Sequence, residues 1–130
     1  MTNGELVRSF FETLSSGDLE GLRSYFDDES TWLICATGIP GAGAHKGRRG
    51  IIDDFLAPVR GMFEPGQPKV EITNLIARGD WVAVEATGRG RFLDGRDYEN
   101  RYSYWIEIDG LTIRTLKEYM DSNYVAGLAL

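Results

Sequence analysis

The period of the hydrophobic pattern changes at Pro68, and that change limits the fold more than any other feature of the chain. Ahead of it apolar residues recur at helical spacing; behind it they alternate. Thr2-x-x-Glu5 is a capping-box signature that precedes Leu6, Val7, Phe10, Phe11 and Leu14 on one helical face, with Gly17 as the stop. Asp18 can cap a second helix with a stripe of Leu19, Leu22 and Phe26. Ser30 to Thr37 is rich in residues that suit a pleated surface and reads as a strand, and the glycine-bearing stretch Gly38 to Gly47 reads as a loop. Ile51, Ile52, Phe55, Leu56 and Val59 predict a third helix. It should kink or end at Pro58, which lacks the N–H and crowds the carbonyl of Asp54. Beyond Pro68, Val70, Ile72 and Ile76 alternate with polar positions. Long strands follow over Trp81–Phe92 and Tyr98–Ile108, and a last one over Ile113–Met120, with turns at Leu93-Asp94-Gly95 and Asp109-Gly110. The expectation is a single α+β domain over residues 1–130, with its helices on one face of an antiparallel sheet.

Composition then removes whole classes of function. Twenty acidic residues against fourteen basic ones leave a net charge of −6, which is not the basic footprint that binding to a phosphate backbone requires. Arg89, Arg91, Arg96 and Arg101 cluster, but Glu85, Asp94, Asp97 and Glu99 interleave them, the pattern of a solvated strand face. A single cysteine, Cys35, excludes an internal disulfide, and a single histidine, His45, excludes paired-histidine metal motifs. Carboxylates at these spacings do not assemble a hard-cation site, so neither metal nor cofactor is expected. Gly41-x-Gly43-x-x-Lys46 lacks the third glycine of a dinucleotide fingerprint. With no run of 18 apolar residues and no basic-then-apolar start, no membrane partner is expected and the cytoplasm is the default compartment.

Candidate chemistry concentrates on the last two strands. Leu116, Glu118 and Met120 share one face by period-two alternation, so a carboxylate sits between two apolar side chains. Burial there would raise its pKa and poise it for proton transfer; the competing reading is a surface glutamate paired with Lys117 or Arg114. Tyr98, Asn100, Tyr102 and Tyr104 fall on one face of the preceding strand, as hydrogen-bond donors to a carbonyl or oxyanion or as core rings. Trp32 and Ile34 share the inward face of the first strand and, with Phe10, Phe55, Tyr102 and Met120, would bound an apolar pocket. His45, beside Lys46 in the glycine-rich loop, is either an exposed loop residue or a base at the pocket mouth.

Leu14-Ser-Ser-Gly-Asp-Leu-Glu-Gly-Leu-Arg-Ser-Tyr-Phe26, then Lys46-Gly47-Arg48-x-x-Ile51, Tyr98-Glu-Asn-Arg-Tyr102 and Glu118-Tyr119-Met120-Asp121 together resemble ketosteroid isomerase and its SnoaL-like relatives. That resemblance implies the nuclear transport factor 2-like cone: a curved antiparallel sheet with N-terminal helices enclosing an apolar pocket, usually in a homodimer joined through the outer sheet face. It does not bring the steroid-isomerase residues with it. The family's oxyanion-hole tyrosine falls on Phe10, its general base on or beside Ile34, and its protonated aspartate near Tyr102, Ser103 and Tyr104. Of the limonene epoxide hydrolase trio, only the aspartate matching Glu118 keeps a carboxylate. In phenazine-biosynthesis relatives the matching glutamate resembles an acid/base, and the histidine partner falls near Asp54. SnoaL-type cyclases use an aspartate resembling Asp121, which could equally cap the turn into Ser122-Asn123-Tyr124.

The expected protein is therefore a cofactor-independent acid/base enzyme acting on a small apolar or polycyclic molecule by isomerisation, cyclisation, dehydration or epoxide opening. Glu118 and Asp121 are its candidate acid/base groups, with Tyr102 and Tyr104 as hydrogen-bond donors. Phe10, Trp32, Ile34, Asp54, Phe55, Tyr98, Asn100 and Met120 are its candidate substrate contacts. The rival is a non-catalytic ligand-binding or dimeric interaction domain on the same scaffold. A homodimer is expected in either case, since long strands with large side chains on both faces, Trp105 among them, leave one face without a core.

Overall fold

The computed structural model describes residues 1–130. Helix α1 (Asn3–Ser16) starts where Thr2 Oγ1 accepts from the Glu5 amide and ends at Gly17, whose left-handed φ of 80° suits a residue without a Cβ. Leu6, Val7, Phe10, Phe11 and Leu14 are its buried face, as the spacing predicts. The Asp18 carboxylate accepts from the Gly21 amide and starts the short helix α2 (Leu19–Leu22), which tightens into a 3-10 turn over Arg23–Tyr25. The Arg48 guanidinium then donates to the Arg23 and Phe26 carbonyls, closing off that turn and tying it to the next helix.

That next helix departs from expectation. It begins as α3 (Gly47–Arg49), widens to π-helical bonding over Gly50–Leu56, and continues through Pro58 as α4 (Ala57–Arg60). Proline obstructs an α-helix by its missing N–H and its clash with the carbonyl four residues back. One wider turn ahead of it, seen in the bond from the Ala57 amide to the Ile52 carbonyl, lets the chain pass without breaking.

Six strands form one sheet in the order β2-β1-β6-β5-β4-β3. They are β1 (Thr31–Ile34), β2 (Gly43–Lys46), β3 (Lys69–Arg78), β4 (Trp81–Arg91), β5 (Asp97–Asp109) and β6 (Thr112–Met120). Pairing is antiparallel throughout, except that β1 lies parallel to β6. Strand β2 falls inside the predicted loop; a four-residue edge strand of Gly, Ala, His and Lys carries no alternating apolar signal. The register of β3 also differs from expectation. A bulge between Ile72 and Asn74 reverses the side-chain alternation, so Leu75 turns inward while Ile76 stands 71% exposed. The sheet is curved and open. After β6, Asp121 caps a last helix, α5 (Ser122–Gly127).

Two apolar clusters result. The larger packs α1, α2 and the π-helical turn against the concave face of β1, β4, β5 and β6; the smaller is Phe63, Phe92, Tyr98 and Val125 at one end. Ile39, Tyr102 and Met120 touch both clusters, so the seam between them is where the interior is incompletely filled. No helix is long and apolar enough to cross a membrane.

Candidate active site

A cavity of about 100 Å³ opens at that seam. Its floor is the concave sheet: Ile34 from β1, Glu118 and Met120 from β6, Tyr98 and Tyr102 from β5. Phe55 and Val59 close it from the helical side, Ile39 and Pro40 from the β1–β2 connection, and Val125 and Leu130 from the C-terminal segment. Strand pairing sets the positions: Glu118 lies between Ile34 and Tyr104 across the sheet, and Met120 opposite Tyr102 in the next inward row. Twelve of the fifteen lining residues are hydrophobic, so the polar groups that do reach the cavity carry its chemistry.

The foremost of these is Glu118. Its side chain is buried, and one polar contact is made to it, from the Trp32 indole N–H to Oε1 at 3.2 Å. Trp32 is held by ring contacts with Phe10, Phe26 and Phe55 at 5.6–6.2 Å between centroids, which makes the donor rigid. Loss of hydration disfavours the carboxylate and outweighs the Trp32 hydrogen bond, pushing the Glu118 pKa up to about 7. No lysine or arginine pairs with it, contrary to the surface-pair reading.

The second polar element is a pair of phenols. The Tyr98 and Tyr102 hydroxyls share a short hydrogen bond, and Asn100 Nδ2 donates to the Tyr98 oxygen at 3.2 Å. Burial raises the pKa of both phenols, Tyr102 the more strongly, so both keep their protons around neutrality. Gly88, across from Asn100 on β4, makes room for this arrangement: a Cβ there would stand 2.9 Å from the Tyr102 ring.

Of the sequence-derived candidates, Ile34, Phe55, Tyr98, Tyr102, Glu118 and Met120 therefore converge on one cavity. The others do not. Phe10 and Trp32 are solid core behind Glu118, because α1 packs directly onto the sheet there. Tyr104 is 2% exposed, stacked on Tyr102 with the Phe11 ring tilted against it, and does not line the void. Asp54 is exposed on the helix surface. Asp121, three residues beyond Glu118, is off the inward face and caps α5, accepting from the Tyr124 amide at 3.0 Å. Asn100 sits behind Tyr98, bonded to the Asp121 backbone. His45 stacks on Phe55 at 4.0 Å and bonds to the Gly41 carbonyl, supporting the wall from outside. Phe63, Phe92 and Val125, which no sequence pattern singled out, form one end of the cavity. No local pattern marks them; Gly88 and Gly90, two apart in a strand, mark instead the close approach of Tyr102 and of Pro68, which also line the cavity. No set of three His, Cys, Asp or Glu side chains converges to hold a metal ion.

A family model described as a SnoaL-like domain matches residues 7–115. None of the curated proteins matches the chain. Among solved structures, a nuclear transport factor 2-like protein from Burkholderia pseudomallei superposes with a TM-score of 0.85 at 18% identity, over 98% of each chain. TerC, co-crystallised with polyporic acid, gives 0.82 at 20% identity over 95% of each chain. A protein of ketosteroid isomerase-like fold from Catenulispora acidiphila, in complex with trimethylamine, gives 0.76 at 22% identity, over 91% of this chain and 86% of that one. At these identities the likeness is one of fold.

Proposed function

The chain belongs to the SnoaL-like domain family by its match over residues 7–115, and from that premise we propose that it is a cofactor-independent enzyme that moves protons on a small apolar molecule. One observation carries the reading: a lone carboxyl group, with a pKa of about 7, on the floor of an otherwise apolar cavity. A group whose pKa matches ambient pH is both an adequate base and an adequate acid, the condition for efficient proton transfer. Glu118 takes and returns the proton, Tyr102 donates a hydrogen bond to the oxygen that gains charge, and Trp32 holds the carboxyl group in place. Isomerisation, cyclisation, dehydration and epoxide opening all fit this equipment. Support comes from neighbours in fold: one from Shewanella denitrificans is described as a putative SnoaL-like polyketide cyclase, another has a ketosteroid isomerase-like fold, and the TerC structure contains polyporic acid.

The test works with simple ketones in place of the natural substrate. Hydrogen exchange at carbon next to the carbonyl of cyclic ketones in heavy water, followed by NMR, reads proton transfer directly. The protein should accelerate exchange for at least one panel member, and Glu118→Gln should reduce that acceleration by about 10²–10⁴-fold. Catalysed exchange that survives the substitution would remove Glu118 from the role.

The same chain is proposed to work as a homodimer. Trp81, Trp105 and Tyr119 stand 37–49% exposed on the outer sheet face, around a shallow depression with Lys117. Glu85, Glu99 and Glu107 interleave with Arg89, Arg101 and Lys117 on that face. Two copies facing each other would thus bury aromatic rings without net repulsion.

A further inference from the structure

The hydroxyls of the cavity are ordered by a residue that does not line it. Asn100 is 3% exposed, and its amide is oriented at both ends. Oδ1 accepts from the Arg101 and Asp121 amides at 2.8 and 3.3 Å, while Nδ2 donates to the Asp121 carbonyl at 3.4 Å. Nδ2 is therefore the group facing Tyr98, and its hydrogen goes to the Tyr98 oxygen at 3.2 Å. A phenol has one hydrogen to give. The geometry of the pair lets either hydroxyl donate, and an oxygen already accepting from Asn100 is the poorer second acceptor, which favours Tyr98 donating to the Tyr102 oxygen. The Tyr102 hydrogen is then left without a partner in the protein, on a residue that lines the cavity. The relay from Asn100 through Tyr98 to Tyr102 thus presents an outward donor, polarised by the two bonds behind it.

Size supplies the second constraint. A cavity of about 100 Å³ is smaller than the roughly 150 Å³ apolar cavity that takes benzene, so it has no room for two fused rings, and a single ring must seat with one edge in its open mouth. Tyr102 and Glu118 both line it, one inward row apart on adjacent strands, a diagonal of roughly 7–8 Å between Cα atoms. We propose, resting on the acid/base reading of Glu118, that the ligand is a monocyclic carbonyl compound, its oxygen accepting from Tyr102 and its ring seated against Ile34, Phe55 and Met120. This sets a single ring against the polycyclic alternative, and it makes Asn100 a positioning residue that acts through Tyr98.

The test is equilibrium binding by calorimetry with 2-cyclohexenone, the fused two-ring 1-decalone, and toluene as a ring without an acceptor. The intact protein should bind cyclohexenone about ten-fold or more tightly than decalone, since overfilling a packed site is costly. Tyr102→Phe should weaken cyclohexenone about three- to ten-fold, the worth of one neutral hydrogen bond, and leave toluene unchanged. Tyr98→Phe keeps the Tyr102 donor and should cost less than Tyr102→Phe. Decalone binding as tightly as cyclohexenone, indifference of cyclohexenone to Tyr102→Phe, or no saturation by either ketone overturns the proposal. The ring-size comparison needs no variant, so it stands whether or not Tyr102→Phe folds. Failure of the acid/base reading looks different: the expected binding pattern persists in Glu118→Gln, while catalysed exchange fails to fall.

Discussion

A carboxyl group moved from water to the floor of an apolar cavity either keeps its proton or destabilises the chain that holds it. Glu118 keeps its proton in the folded chain up to about pH 7, and the cost builds between about pH 4.5 and that value. Protonated in both folded and unfolded states below pH 4.5, it costs nothing there; ionised in both above about 7, it costs the full difference. At roughly 1.4 kcal/mol per pH unit between the two pKa values, that difference comes to about 3 kcal/mol. Stability is thus lost as pH rises through the folded-state pKa. Glu118→Gln, which cannot ionise, should match the wild type near pH 4 and exceed it by about 2–3 kcal/mol near pH 8.5, read by urea denaturation. A stability difference that does not change with pH would mean that the carboxyl group is hydrated. At this scale much of the site was legible. Period-two spacing alone puts Glu118 between Leu116 and Met120 on an inward face, and puts Asp121 off that face. The Trp32 donor was not legible, because the parallel pairing of β1 with β6 joins residues 84 positions apart, and no local pattern records it.

Elements fail to follow their sequence pattern where a single residue changes the count. One extra residue at Thr73 swaps the inward set of β3 from Ile76 to Leu75, and nothing in an alternating string marks which residue will bulge. Pro58 reads as a stop, yet the helix absorbs it by a wider turn, which keeps Phe55 and Val59 on the cavity side together. The three helical segments ahead of Pro68 and the meander β3–β6 were readable from their periods; β2 and α5, four and six residues long, were not. Gly88 belongs to this scale as well. It occupies an inward position of β4, where a methyl group would meet the Tyr102 ring 2.9 Å away, and that ring is itself stacked on Tyr104. Gly88→Ala should therefore cost about 1–3 kcal/mol by displacing Tyr102 into the cavity, against the modest gain alanine usually brings to a strand. Unchanged stability in denaturant titration would show that the ring has somewhere else to go.

Over the whole molecule, one face of the sheet is spent on helices and cavity, and the other carries Trp81, Trp105 and Tyr119 into solvent. If that face joins two copies, light scattering at micromolar concentration should give twice the mass of one chain. Trp105→Glu, buried against its counterpart, should return monomers; a wild-type monomer at that concentration would end the dimer proposal. The proposed interface and the proposed active site lie on opposite sides of the sheet, so the two proposals can be tested separately. The proposed function rests on the proton of Glu118. With glutamate side chains labelled with carbon-13 at the carboxyl, an NMR pH titration, assigned by the resonance that disappears in Glu118→Gln, reads that proton directly. A buried acid/base at this position requires a midpoint of about 7; a midpoint at or below the ordinary 4.5 would contradict it.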